Sequence, residues 1–333
     1  MIPDSPYVPK VLSILAENMR RSNNPLGISG DRLSSWSRGL DLPGKAETLL
    51  YTGCEYQLLP YLPSLVNQIK RMGPFAYEGS SLLRMAVGLR KLGFDAASAF
   101  ASLNAKEEDY YNDVTRRYAG VLKRHGLQFG YLGADEPYSG ALLYEYGLME
   151  EFGEHAKKVV DLFRDRNIRR IIVTSPHALE AFRVLYPQFV TGFDIETLHF
   201  TEALLGAGQA PPMRLNEPLE VTLHDPCHLA RTLDMSEQPR QVLLRVKNLS
   251  LKEVPQTNKR WTTCCGAPIE TLLPILSESV ATRRVEELIS SGARTALTLC
   301  AFCHANLRKA ASRANLRVMD FAELLDRSLG GKA

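Results

Sequence analysis

The sequence predicts an α/β fold: two tandem, pseudo-duplicated α/β domains with parallel-type sheets, preceded by a helical N-terminal extension. Three observations carry that expectation. Short apolar or β-branched runs alternate with amphipathic stretches such as 152–166, 178–186 and 277–291, the rhythm of βα units. Both halves repeat the same order of strand-like run, loop and helix. The length of 333 residues, with 45% hydrophobic and 23% charged, suffices for two ordinary cores.

Residues 1–46 read as the helical extension, with turns at Asn24-Pro-Leu-Gly27 and Asp41-Leu-Pro-Gly44. In the first half, residues 47–212, the run Thr48-Leu-Leu-Tyr51 enters Thr52-Gly-Cys54 as a strand enters a loop. Residues 61–126 look helical and connecting. The loop Leu132-Gly-Ala-Asp-Glu-Pro-Tyr-Ser-Gly140 follows, and then Ile168-Arg-Arg-Ile-Ile-Val-Thr174 leads through Ser175-Pro-His-Ala178 into a helix. Leu198-His-Phe-Thr-Glu-Ala-Leu-Leu205 closes the half, and a Gly- and Pro-rich joint spans 206–218.

The second half, residues 213–333, repeats this order. Leu219-Glu-Val-Thr-Leu223 enters His224-Asp-Pro-Cys-His228, and Trp261-Thr-Thr-Cys-Cys-Gly266 answers the loop at 132–140. Ala293-Arg-Thr-Ala-Leu-Thr-Leu299 leads through Cys300-Ala-Phe-Cys303 into a helix, and Val318-Met-Asp-Phe-Ala-Glu-Leu-Leu325 closes. Ser139 and Ser175 are 36 positions apart and Cys265 and Cys300 are 35, while 175/178 and 300/303 are both three apart.

Five of the six cysteines fall in the last third, as C-x36-CC-x34-C-x2-C. Thiolates are soft ligands that select zinc, copper(I) or iron–sulfur clusters. In parallel sheets the loops after the carboxyl ends of the strands converge, so three separated segments can meet at one edge. The pattern therefore reads as a metal site. Lys plus Arg total 40 against 37 for Asp plus Glu, and a net charge of +3 excludes a dedicated nucleic-acid surface. The run Ala281-Thr-Arg-Arg-Val-Glu-Glu-Leu288 reads as a solvated helix face. Met1-Ile-Pro-Asp-Ser-Pro shows no signal segment, and no run of about 18 apolar residues predicts a transmembrane segment. Thiols in such a chain point to a reducing, cytoplasmic setting.

The spacing C-x36-CCG with C-x2-C, the texture His224-Asp-Pro-Cys-His228 and the later Gln238-Pro-Arg240 resemble the cysteine-rich CCG domain of heterodisulfide reductase subunits B and D. Tyr186-Pro187 and Asn24-Pro-Leu-Gly27 with Trp36 are similar to segments of the same proteins, so the resemblance covers about residues 20–330. It implies one 4Fe–4S cluster of the noncubane kind, held by Cys227, Cys264, Cys265, Cys300 and Cys303. The first copy departs from the pattern, because Cys54 remains but Tyr138, Ser139, Ser175 and Ala178 take the other ligand positions. Residues 47–212 are thus expected to be a degenerate CCG domain without a cluster, and 213–333 an intact one.

Around the ligands, His224, His228 and His304 are expected to donate to a cluster sulfur or pack locally. His177 and Cys54 read as packing residues, and Gly133, Gly140 and Gly147 as turns. The resemblance implies an iron–sulfur subunit of a heterodisulfide reductase-like oxidoreductase complex, acting in thiol/disulfide redox chemistry on a small thiol or disulfide substrate. Its partners would be a ferredoxin-like iron–sulfur subunit, since no ferredoxin cysteines are present in this sequence, and a flavoprotein. It would work in the cytoplasm, free or attached to a membrane complex. One alternative is an electron-relay subunit of a flavoprotein- or quinone-linked dehydrogenase complex. Another is a zinc-stabilised scaffold, although zinc ribbons usually pair two CxxC knuckles and one is present here.

Overall fold

Residues 10–63, 66, 105–208 and 210–331 are described in the computed structural model. Helix α1, Lys10–Ser22, opens the chain and packs on the first half. The expected connecting helices of 61–126 lie in part outside the described residues. Within them, α2, Ala105–Arg124, turns the apolar stripe of Tyr111, Val114, Tyr118, Val121 and Leu122 inward.

The first sheet has strand order β1-β2-β3, all parallel: β1 is Thr48–Tyr51, β2 Arg170–Val173 and β3 Glu196–His199. Their interiors are continuous apolar runs because helices cover both faces. Among those helices, α3, Met149–Asp165, buries Phe152, Ala156, Val159, Val160 and Phe163 at helical spacing. Helix α4, Pro176–Glu180, follows β2, and α5, Phe200–Gly206, follows β3.

The second sheet has order β5-β4-β6-β7, again parallel: β4 is Met213–Leu223, β5 Val246–Leu251, β6 Thr295–Thr298 and β7 Arg317–Asp320. Between β4 and β5 runs α6, Glu237–Leu244; α7, Pro274–Ile289, precedes β6; α8, Ala301–Ala311, follows it; and α9, Phe321–Ser328, follows β7.

The order β4-β6-β7 repeats β1-β2-β3. The fourth strand of the second sheet has a remnant in the first, a single parallel bridge between Leu49 and Gly130. The repeat extends to the helix starts. Ser175 and Cys300 are the extended residues that begin α4 and α8, and the side chains of His199 and Asp320 cap α5 and α9. Gly140 and Gly266, at φ +82 and +87, hold equivalent turns. A Cβ at Gly266 would lie 2.5 Å from the Ser277 carbonyl oxygen, so only glycine fits.

The joint is shorter than its composition suggests. The chain is already in β4 at Met213, and the register against β5 shifts between Arg214 and Leu219, where Pro218 cannot donate to the ladder. Buried residues of both halves form one continuous core. Helix α2 ties them together: Tyr110 Oη lies 3.0 Å from His304 Nε2, and Arg308 Nη1 meets Glu107 at 2.8 Å. Tyr56 donates a short hydrogen bond to Asp320. Among the described residues no helix is long and apolar enough to cross a membrane.

Candidate metal centre

The five C-terminal cysteines come together from three loops at the carboxyl edge of the second sheet. Cys227 follows β4, the Cys264–Cys265 pair lies in the loop before α7, and Cys300 and Cys303 begin α8 after β6. Ligand atoms of Cys265, Cys303 and His224 lie within 4.8 Å of one another, and the five sulfurs are near enough for each to shift the ionisation of others. Cys265, Cys300 and Cys303 are buried; Cys227 and Cys264 are partly exposed.

Two of these sulfurs are pushed toward the thiolate form. Hydrogen bonds from Cys227 and Cys265 keep Cys264 well below the usual thiol range. Burial works against ionisation of Cys300, but hydrogen bonds from Cys303 and His177 outweigh it and hold it low as well. Cys300 stands at the start of α8, where the helix dipole favours an anion, although its side chain makes no capping hydrogen bond. At the equivalent position of the first half, Ser175 Oγ accepts from the Ala178 N–H at 3.3 Å.

The loops are fixed from outside by charge pairs. Arg240 grips Asp225 with two bonds of 2.7 and 2.9 Å and also bonds Glu253 and the Ser236 carbonyl. Asp225 in turn accepts from Lys259 N at 2.7 Å, and its carbonyl accepts from Thr262 Oγ1 at 2.9 Å. The segment carrying Cys227 is thereby fastened to the one leading to Cys264, which explains why His-Asp-Pro-Cys and Gln-Pro-Arg occur together.

Behind the cysteines lies Arg284, and here the sequence reading needs correction. The Arg283-Arg284 run is not uniformly solvated: Arg283 is exposed, whereas the Arg284 side chain has 0% exposure. It donates to the Thr257 carbonyl, meets Glu287 at 2.9 Å and donates from Nε to His224 Nδ1 at 3.1 Å. With Nδ1 accepting, the proton of a neutral His224 sits on Nε2. That nitrogen is buried without a partner, and His224 has a ligand atom within 4.8 Å of Cys265 and Cys303. An unsatisfied buried donor facing thiol sulfurs fits a sulfur-rich inorganic group that accepts hydrogen bonds. The donors are all cysteine sulfurs, three of them buried, on loops anchored by charge pairs, so the residues fit an iron–sulfur cluster.

In the first half, Cys54 is buried beside Glu136. Cys54 Sγ lies 3.6 Å from both the carbonyl and a carboxylate oxygen of Glu136, Tyr51 Oη donates to Pro137 O at 2.7 Å, and Tyr186 Oη donates to Ser139 O at 3.0 Å. Ser175 Oγ donates to Glu55 at 2.6 Å. Burial, reinforced by Glu136, pushes the Cys54 thiol well up, so Cys54 is a protonated buried residue. Burial also raises Glu136 to about 7 and Glu55 to about 8.

The two halves meet at these sites. His177 and Phe302 occupy equivalent positions and pack edge to face at 5.1 Å. His177 does more than pack: its Nδ1 lies 2.7 Å from Glu145 Oε1, and it hydrogen-bonds Cys300. His228 stacks on it at 4.0 Å, approaches Glu145 at 3.7 Å and hydrogen-bonds Glu180. His304 instead stacks on Tyr110, away from this pair. Sequence reasoning missed Glu55, Glu136, Glu145 and Glu180, which lie on helices and loops with no motif to mark them.

Residues 221–308 match the family model of the cysteine-rich domain CCG. This chain carries a CCG domain. It is similar to the D subunit of the dihydromethanophenazine:CoB–CoM heterodisulfide reductase of Methanosarcina barkeri, 26% identical over 232 residues, covering 66% of this chain and 56% of that protein. The corresponding protein of Methanosarcina acetivorans is 29% identical over 220 residues, covering 63% and 54%. An EtfAB:quinone oxidoreductase of Syntrophomonas wolfei is 26% identical over 241 residues, 68% of this chain and 33% of that protein. The chain thus spans about half the length of the two heterodisulfide reductase relatives. The CCG match and these relatives imply an iron–sulfur cluster.

Proposed function

We propose that this chain is the iron–sulfur subunit of a heterodisulfide reductase-like complex, with one noncubane 4Fe–4S cluster held by Cys227, Cys264, Cys265, Cys300 and Cys303. The observation that supports it most is the meeting of five cysteines from three loops at one sheet edge, within the match to the CCG family model. Bound there, the cluster would supply one-electron redox chemistry and an iron able to bind sulfur.

The chain's own residues do the rest. Asp225 and Arg240 hold the Cys227 and Cys264 loops together, Arg284 orients His224 toward Cys265 and Cys303, and His177 holds a proton against Cys300. Buried Cys265, Cys300 and Cys303 keep water away on one side, while Cys227 and Cys264 face the side a small thiol or disulfide could reach. The proposed partners are a ferredoxin-like iron–sulfur subunit and a flavoprotein, in a cytoplasmic or membrane-attached complex. Residues 47–212 are proposed as a CCG domain that has lost its cluster.

The test is the EPR spectrum of oxidised, anaerobically isolated protein before and after addition of a small thiol. A thiol-dependent change in the cluster signal supports substrate sulfur binding. A strong signal untouched by any thiol contradicts it and leaves the relay reading. That second reading is favoured by one observation: Trp261, Leu273, Ile275 and Leu276, close in sequence to the Cys264–Cys265 pair, are large apolar residues 50–81% exposed.

A further inference from the structure

Between the two halves, beside the cysteine site, lies a group of one carboxylate and two imidazoles. We propose that Glu145, His177 and His228 form a second metal site, for one divalent cation of zinc's borderline softness. One ligand atom of each lies within 4.8 Å of the other two. Glu145 Oε1 is 2.7 Å from His177 Nδ1 and 3.7 Å from His228 Nε2, spacings that an ion about 2 Å from each atom spans with small side-chain adjustments. Two imidazoles and one carboxylate are a donor set that zinc takes with a fourth position left open.

The outer partners follow the pattern of metal-binding histidines, whose second nitrogen donates to an anion that fixes the ring. His228 turns its Nδ1 to the Glu180 carboxylate. His177 has the Cys300 side chain as a further polar neighbour. The charge around the group also asks for a cation. Glu55 and Glu270 each bury an oxygen with no hydrogen-bond partner, and both feel His177, Glu145 and Cys300. The Glu145 and His228 side chains keep 19% and 20% exposure, so the site has an entrance.

The test adds Zn²⁺ to anaerobic holoprotein, followed by desalting, elemental analysis and zinc X-ray absorption. The expected result is one zinc per chain bound through nitrogen and oxygen at about 2.0–2.2 Å, over unchanged iron. In Glu145→Gln this nitrogen–oxygen shell disappears while iron stays. In Glu180→Gln, which keeps all three ligands, zinc affinity falls about 10- to 100-fold. Zinc seen only through sulfur at about 2.3 Å, or bound as tightly in both variants as in the unaltered protein, overturns the proposal. Because the readout is the zinc ligand shell, it stands or falls independently of what the five cysteines hold.

Discussion

At the residue scale, the chemistry divides between thiols that are arranged for a metal and one that is not. Cys264→Ser or Cys265→Ser replaces a soft ligand with a hard, weakly acidic one. Each should abolish the cluster's visible absorbance and lower the unfolding midpoint of the second half, since metal binding is coupled to folding. Cys54→Ser should leave iron content unchanged and cost about 1 kcal/mol, read by denaturant unfolding. Loss of iron from the Cys54 variant would return that residue to the ligand set.

Arg284 gives a sharper case. Arg284→Met leaves His224 and Glu287 without their buried donor and should cost about 3 kcal/mol with partial loss of cluster absorbance. The cysteines were legible because their spacing has no other economical explanation. Arg284 was legible in principle too: it shares a helical face with Ala281, Val285 and Leu288. Its charge argued for the surface, and burial became possible only because His224, Thr257 and Glu287 satisfy it.

At the scale of elements, the loops behave as rigid mounts. Gly266→Ala meets a carbonyl at 2.5 Å in a positive-φ turn and should destabilise the second half by at least about 2 kcal/mol. Equal stability of this variant by urea unfolding would show that the loop yields. Strands β1, β2, β4, β6 and β7 could be read from short apolar runs, and the long helices from their period. β5 could not. Val246-Lys-Asn-Leu-Ser-Leu251 lies at a sheet edge with Lys247, Asn248 and Ser250 exposed, and its burial shows no alternation to stand out. The polar contacts between halves were equally hidden, because a tyrosine on one element and an acid far along the chain carry no shared sequence signal.

At the scale of the whole molecule, the halves share one core and a buried acid between them. Burial raises Asp320 from 3.8 to about 7, opposed by hydrogen bonds from Tyr56 and the Ala322 N–H. A raised folded-state pKa means that the folded protein binds more protons than the unfolded chain between about pH 4 and pH 7. Stability from this group is therefore present at low pH and lost as pH rises through that window, by up to about 4 kcal/mol. Asp320→Asn, which retains a capping side chain, should flatten the unfolding profile between pH 5 and 8. An unchanged slope would place the titration elsewhere.

The central claim is that one half of a duplicated fold carries a complete iron–sulfur site and the other has lost its own. The most direct measurement is iron and acid-labile sulfide per chain in anaerobically isolated protein. The account predicts a brown protein with about four of each, from one complete five-cysteine motif. About eight iron atoms would contradict the loss of the first site. Iron near zero, with zinc bound through sulfur in its place, would contradict the iron–sulfur centre itself.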